Sequence, residues 1–362
     1  MRSRAMNSPM EHKPPDILPT ISAALIVRNE AQFLEGCLTA LTGQVNEIVV
    51  VDTGSDDATV DIAKKHSVKL LHHRWTGDFS EARNVAIEAA AGEWILYIDA
   101  DERLVLPDKT KLPAFLSNLR VAAAWVQLMP KTGFTRYREL RLFRNRPDIR
   151  FKGRIHETVM ADVKRVCDEF GLSAIMTAVK IDHLGYDGSQ DHKHARNLPL
   201  LESAIAEGQT RVYYYYHLAE TLVALGRIED ARRAGHAGLE TVRSNDSEKN
   251  RADASLIYQM LARIEPPGEA TLALIREGMA QFPLDHALRF QLAEQLAQLD
   301  RHAEALSHLE VLRRVDPDSL GEGLLAFDRR IFGSFAWQLT GSCLLSMGRQ
   351  PEALQAFRAA AG

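Results

Sequence analysis

Short apolar runs separated by amphipathic stretches fill the first third of the chain. The runs ISAALIV (21–27), EIVVVD (47–52), VKLLHH (68–73), EWILYID (93–99) and AAWVQLM (123–129) predict strands. Between them, segments near 31–42, 56–66, 79–91 and 107–119 carry helical patterning. Strand–helix alternation of this kind predicts a largely parallel sheet covered on both faces. Ligands of such sheets bind beyond the carboxyl ends of the strands. Asp52 and Asp99 both fall at such ends.

After residue 130 the pattern changes. The stretch ELRLFRN-RPD-IRFKGRIHETV (139–159) reads as two strands around a Pro-Asp turn, and AIMTAVKIDHLGY (174–186) as another, an antiparallel addition to the sheet. From about residue 190 the chain reads as helical and self-similar. LAETLVALGRIEDARRAGHAGLE (218–240), LAEQLAQLDRHAEALSHLEVLRRVDP (292–317) and TGSCLLSMGRQPEALQAFRAA (340–360) share one pattern, with a weaker copy over 258–283. A small residue recurs after each turn at Ala231, Ala270, Ala305 and Ala353. The early intervals approach the roughly 34-residue period of tetratricopeptide (TPR) repeats, in which helix pairs stack on one another. DSLGEGLLAFDRR (318–330) lengthens the last interval; an irregular helical bundle is the plainer alternative. The expected organisation is a leader over 1–19, an α/β domain over 20–190 and an all-α, TPR-like domain over 191–362.

Composition narrows the function classes. The chain has 362 residues, 46% hydrophobic and 25% charged, with a formal net charge of −4. That balance argues against a general nucleic-acid binder, which would be basic. Cys37, Cys167 and Cys343 show neither pairing nor zinc spacing, so a reduced, cytoplasmic setting is expected. No apolar run approaches the roughly 18–20 residues that span a bilayer. The opening MRSRAMNSPMEHKPPDILPT lacks the apolar core of a secretory signal and reads as a disordered leader.

Chemistry enters at GEWILYIDADERL (92–104), where an apolar strand ends in Asp99, Asp101 and Glu102. Clustered acids repel, and burying them unpaired costs desolvation energy. A hard divalent cation held by carboxylates, with substrate phosphates as further ligands, makes the cluster tolerable. A solvated turn is the plain reading of such a triplet taken alone. VVVDTGSDDAT (49–59) closes a strand with Asp52 and offers Gly54 and Ser55 before a helix: a turn with Ser55 or Asp56 as N-cap, or a carboxylate aimed at a nucleobase or ribose. GDFSEARN (77–84) sets Arg83 and Asn84 in a helix feeding the Asp99 strand, and LIVRNE (25–30) ends the first strand with Arg28, Asn29 and Glu30. Arg136 to Arg154 carries eight basic residues, among them Arg138, Arg141, Arg144 and Lys152; a solvated strand face explains most of them, and one or two could neutralise a diphosphate.

The order RNE, VDTGSDDAT, DFSEARN, GEWILYIDADE within residues 28–102 resembles the family 2 glycosyltransferases of the GT-A fold. The resemblance covers about residues 20–186. It is nearest to the branch with C-terminal TPR repeats, which includes relatives of peptide glycosyltransferases that modify cysteine in bacteriocins; GRIHE (153–157) and DHLGY (182–186) look like features of that branch. It implies a Rossmann-like, mostly parallel sheet, a nucleotide-diphosphate sugar donor (a UDP-sugar), a divalent metal (Mn or Mg) and inversion at the anomeric carbon. By the same resemblance, Asp52 contacts uracil or ribose, Asp99 lies near ribose and metal, Asp101 is the principal metal ligand and Arg83 lies near the diphosphate. Arg28, Glu30, Ser55 and Asp78 complete the expected donor-binding set, and His183 either joins the metal shell or is a core histidine. The Gln-x-x-Arg-Trp motif of processive members is absent, which argues against a polymerase with a membrane channel.

Inverting transfer needs a base for the acceptor proton. GRIHETV offers Glu157 and His156, with Glu157 the first choice because it is ionised at neutral pH; a structural His–Glu pair is the alternative. The reading is a cytoplasmic, metal-dependent inverting glycosyltransferase with a protein or peptide acceptor that the TPR-like repeats engage; a homodimer is left open. Transfer to a cell-envelope saccharide or lipid-linked glycan, and a non-catalytic TPR scaffold with a vestigial donor site, are the competing readings. The Tyr213–Tyr216 cluster reads as helix packing.

Overall fold

The computed structural model describes residues 19–106, 115–130, 133–185, 191–245, 247 and 252–361. The expected leader and most of the helix expected over 107–119 lie outside them, as does Tyr186. Residues 21–183 build an eight-stranded sheet in the order β3-β2-β1-β4-β7-β6-β8-β5. Its strands are β1 (Ile21–Val27), β2 (Glu47–Asp52), β3 (Lys69–His72), β4 (Trp94–Tyr97), β5 (Glu102–Val105), β6 (Val121–Pro130), β7 (Tyr137–Arg144) and β8 (Ser173–His183). Strands β1 to β4 run parallel. β7 then pairs antiparallel with both β4 and β6, and β5 pairs antiparallel with β8, so the whole sheet is mixed.

The central strands are buried on both faces, which explains their nearly unbroken Val/Ile/Leu/Ala sequence. Helices α1 (Leu34–Leu41) and α2 (Thr59–Lys64) join one core, while α3 (Phe79–Ala89) and α4 (Met160–Phe170) cover the other face. The N-cap of α2 is Ala58 rather than Ser55 or Asp56. Ser55 and Asp56 are instead drawn into a turn against β1.

The second strand expected over 149–159 does not form. Gly153 (φ 105°) and His156 (φ 52°) turn the backbone out of the extended region. Reciprocal bonds between Lys152 and Thr158, at 3.1 and 3.0 Å, close the intervening residues into a loop.

From residue 191 the described chain is helical. A first helix, α5 (Asp191–Ala206), leads into four hairpins: α6/α7 (Val212–Ala224, Ile228–Ser244), α8/α9 (Ser255–Ile264, Glu269–Gln281), α10/α11 (His286–Gln298, His302–Arg313) and α12/α13 (Ser334–Ser346, Gln350–Ala361). Ala231, Ala305 and Ala353 are buried between paired helices. Ala270 is exposed, and Leu272, the fourth residue of α9, fills the equivalent buried position. That slip is why the second copy is weak in sequence. Among the described residues no helix is long and apolar enough to cross a membrane.

The array touches the α/β domain at two places, its first hairpin and the segment between its third and fourth hairpins. Tyr214 of α6 packs with Ile155 of the 152–158 loop and with Leu201 and Ala204 of α5. Far along the chain, the segment between α11 and α12 returns to the β6–β7 hairpin. Thr135 N–H donates to Phe327 O (2.7 Å), Arg138 N–H to Gly323 O (2.8 Å) and Gln127 Nε2 to Gly321 O (3.1 Å). Arg138 also makes a forked pair with Glu322, at 2.8 and 3.0 Å.

Candidate active site

The parallel strand order 3-2-1-4 creates a crevice beside β1 where the chain reverses its direction of progress across the sheet. Asp52 closes β2 there, 4% exposed. Its carboxylate accepts from the backbone N–H groups of Gly54 (3.2 Å) and Ser55 (3.1 Å) and faces His72 Nδ1 at 3.4 Å. Gly54, at φ 108°, lets the chain curl around that carboxylate. The turn is tied to the end of β1: Asn29 N–H donates to Ser55 Oγ (3.0 Å), and Asp56 N–H donates to Asn29 Oδ1 (2.9 Å). The Glu30 N–H donates to Thr59 Oγ1 at 2.7 Å. A cleft of about 510 Å³ opens over this corner, lined by Arg28, Asp52, Gly54, His72, Arg74 and Trp75 with their neighbours.

The acid turn after β4 resolves its own repulsion. Arg83 Nη2 donates to Asp99 Oδ1 (2.8 Å), and Arg141 Nη1 stands 3.7 Å from Asp99 Oδ2. Glu102, 1% exposed, receives Arg141 Nη2 at 2.9 Å and the Asp99 N–H at 2.8 Å. Burial would raise the Asp99 carboxyl, but Arg83 and then Arg141 outweigh it and hold it down at about 2. Burial pushes Glu102 up to about 7, against Arg141 and with Asp99 adding to the rise. The expectation that a cation alone reconciles these acids is therefore too narrow, since two buried arginines share the work.

Asp101 takes a different partner. Its Oδ2 lies 3.2 Å from His183 Nε2, across the β5–β8 pairing, and this contact raises the His183 imidazole above its usual value. Asp101 and His183 thus meet, while Asp99 turns away toward the arginines. Among the described residues no group of three or more His, Cys, Asp or Glu is gathered for a metal ion. A carboxylate beside an accessible imidazole nevertheless suits a divalent cation that takes its other ligands from a substrate.

Glu157 receives Arg83 Nε at 2.5 Å, with both side chains 10% exposed. The guanidinium thereby links Glu157 to Asp99, while its Nη1 is buried with no partner among the described residues. Burial would lower Arg83, but Asp99 and Glu157 raise it, so it remains charged. His156 does not face Asp99. Its ring stacks on His217 of α6, with centroids 3.7 Å apart. Asp78 is occupied as the N-cap of α3, accepting from Glu81 N–H at 3.1 Å.

Several residues at this site escaped the sequence reading. Arg141 was named within the basic run but not matched to the acids, yet it and Glu139 (3.1 Å away) alternate along β7 toward them. That i, i+2 pairing was a usable signal. His72, Arg74 and Trp75 follow the carboxyl end of a parallel strand, where the same rule that selected Asp52 applies. Arg138 and Arg144 are engaged rather than solvated: Arg144 donates to the carbonyls of Val121, Leu116 and Asn118. Lys193 on α5 stands near the acids; burial lowers its ammonium while Asp101, Glu30 and Asp99 favour the charge. Nothing local in the sequence signalled His217.

The sheet order, with Asp52 and an acid turn flanking β1, is the architecture of a GT-A glycosyltransferase. The chain belongs to glycosyl transferase family 2, whose family model matches residues 22–168. It is 37% identical over 275 residues to a TPR repeat-containing protein of Synechococcus elongatus, covering 73% of this chain and 67% of that protein. It is 31% identical over 222 residues to the SPbeta prophage-derived glycosyltransferase SunS of Bacillus subtilis, covering 59% of this chain and 51% of that one. The chain thus spans about two thirds of the first relative and half of the second. Among solved structures it is similar to Staphylococcus aureus TarS residues 1–349 in complex with UDP, over 77% of this chain and 91% of the other, at 15% identity and a TM-score of 0.38. A likeness of that size carries no functional argument.

Proposed function

We propose that the protein is a metal-dependent inverting glycosyltransferase that moves a sugar from a UDP-sugar to a protein or peptide acceptor. The reading is supported by Asp52 closing β2 and by Asp99 and Asp101 following β4, the two strands that flank β1, with the unpartnered Nη1 of buried Arg83 on the side chain that engages Asp99. Asp52 and the adjoining cleft would take the nucleoside, with Arg28, Glu30 and Ser55 at its edge. Asp101 and His183 would hold Mn or Mg, which would neutralise charge on the departing diphosphate. Arg83 would donate through Nη1 to the donor.

Glu157 is the proposed base. Arg83 engages its Oε1 and aims the carboxylate, so that Oε2 can take the acceptor's proton. As that proton leaves, the acceptor's lone pair bonds to the anomeric carbon, and the bond from that carbon to the diphosphate breaks with its electrons on the leaving oxygen. His156, sealed against His217, is the lesser candidate. The acceptor class is supported by the helical array, since stacked helix hairpins offer extended surfaces to polypeptides, and by the similarity to SunS and to a TPR repeat-containing protein.

Calorimetry with UDP, GDP and CDP in the presence of manganese or magnesium tests the donor side. Tighter binding of GDP or CDP would sink the uridine assignment. Mass spectrometry of candidate peptides and lipid-linked glycans incubated with labelled donor tests the acceptor; label on glycans alone would overturn the peptide reading. Glu157→Gln is expected to lower turnover at least about 100-fold with donor affinity nearly unchanged. An active Glu157→Gln beside a dead His156→Ala would exchange the two roles.

A further inference from the structure

The Arg83–Glu157 contact is carried by a loop that holds an uncommon backbone conformation. His156 is one of three non-glycine residues with positive φ among those described, at 52°. L-residues adopt that region rarely, and it persists where the surroundings over-determine it. Both flanks of the loop are tied down. Phe151 exchanges hydrogen bonds with the Asn84 amide (2.9 and 3.0 Å), Lys152 pairs with Thr158, and Phe79 N–H donates to Arg154 O (2.8 Å). At Gly153 an added Cβ would stand 2.6 Å from Tyr214 Oη, so α6 presses directly on the loop. His156 itself is held by rings: His217 stacked at 3.7 Å and 16°, and Tyr213 edge-on at 5.2 Å.

Those rings are themselves fixed. His217 Nδ1 contacts Glu220 Oε2 at 3.0 Å, and Glu220 Oε1 accepts from Tyr216 Oη at 3.1 Å. Tyr213 lies 4.2 Å from the His217 ring. Successive contacts thus run from Glu220 and His217 through His156 and Glu157 to Arg83 and Asp99. Rotation at residue 156 would carry the next side chain, Glu157, off Arg83 and release the guanidinium that sets Asp99.

We infer that His217 of the helical array is a positioning residue for the active site, fixing His156 so that Glu157 and Arg83 meet. The inference rests on the function proposed above for what those residues do, but not for whether His217 holds the loop. It gives the array a role in the chemistry beyond any in binding an acceptor, because the catalytic loop is complete only when α6 is docked.

The test uses the full chain with His217→Ala and His217→Phe. Hydrogen exchange of the 153–158 amides is followed by mass spectrometry without substrate, and kcat/KM is measured for donor turnover and transfer. His217→Ala is expected to speed exchange in this loop, leave protection elsewhere unchanged, and cut kcat/KM by about 10- to 100-fold, the scale of a small misplacement of reacting groups. Phenylalanine keeps a flat ring over His156 and is expected to restore both readouts. Wild-type exchange and activity in His217→Ala would overturn the proposal. So would a His217→Phe variant with wild-type loop exchange but activity as low as the alanine's, which would mean that the imidazole acts chemically itself. If the wild-type protein turns over no nucleotide sugar, the proposed function fails, while loop exchange still decides whether His217 holds His156.

Discussion

The two contacts between the helical array and the sheet use different forces. At the 152–158 loop the array presents rings and a close helix face, and the loop it grips carries Glu157. At the β6–β7 hairpin the 318–328 segment instead adds backbone hydrogen bonds, one isolated bridge between Phe134 and Asp328, and the Arg138–Glu322 fork. Backbone bonds are insensitive to most substitutions, since every non-proline residue supplies them. Ring stacking depends on single side chains. The second contact is therefore a strap that fixes the array's position, and the first is a local, tunable grip on the site.

Substitutions can break that distinction. The largest loss is expected for Arg83→Ala, which strands Glu157 and Asp99. Removing one partner of a buried ion pair costs about 3–5 kcal/mol, and urea denaturation should register it together with loss of turnover. Phe327→Ala empties a buried ring packed on His286 (5.4 Å) and Phe332 (6.3 Å). A cost of about 3 kcal/mol or somewhat more is expected, the low end for removing a buried phenylalanine, with nucleotide affinity close to wild type because the strap does not line the Asp52 cleft. A large fall in nucleotide affinity would erase the contrast between the two contacts.

A pH titration sharpens the first contact. Burial, then His217, Arg211 and Arg196, hold the His156 imidazole well below its ordinary value. Below pH about 6.5 the unfolded chain takes up a proton there that the folded chain refuses, so the contribution of His156 to stability falls as the solution is acidified. His156→Gln should flatten that slope in thermal melts across pH 5–7. His286 and His308, lowered by burial, add to that slope, while the raised Glu102 and His183 oppose it, so the His156 contribution is read as the difference between variant and wild-type melts. The smallest effect on stability is expected for Asp101→Ala. Its side chain pairs with the partly exposed His183, so the cost should stay within about 1 kcal/mol. The loss should appear in metal-dependent donor binding, measured by calorimetry. A large fall in melting temperature would make Asp101 structural.

The parallel half of the sheet was legible because its signals are local. Alternation of apolar runs with amphipathic segments marked β1 to β4 and α1 to α3 within a few residues. Asp52 and the acid turn stood out because polar residues at the carboxyl ends of buried strands are conspicuous. The 149–159 segment misled because its apolar spacing at Ile149, Phe151 and Ile155 resembles a strand. Those side chains are indeed buried, but in a loop that Gly153 and His156 turn out of the extended region. β5 and α4 went unnoticed, the one short and the other directly after the misread strand.

By itself the sequence determined that acids end two parallel strands beside a third and that helix hairpins repeat after them, because strand and helix periods repeat every two to four residues and need no distant partner. Only the tertiary structure decided which partner each charge takes. Arg83 and Glu157 are 74 residues apart, and Arg138 and Glu322 are 184 apart. No local pattern encodes such pairs. A buried charge requires a partner of opposite sign within hydrogen-bond reach, and several arginines in the same basic run could have met that demand. The packing of α6 against one loop, and of the 318–328 segment against one hairpin, selected among them.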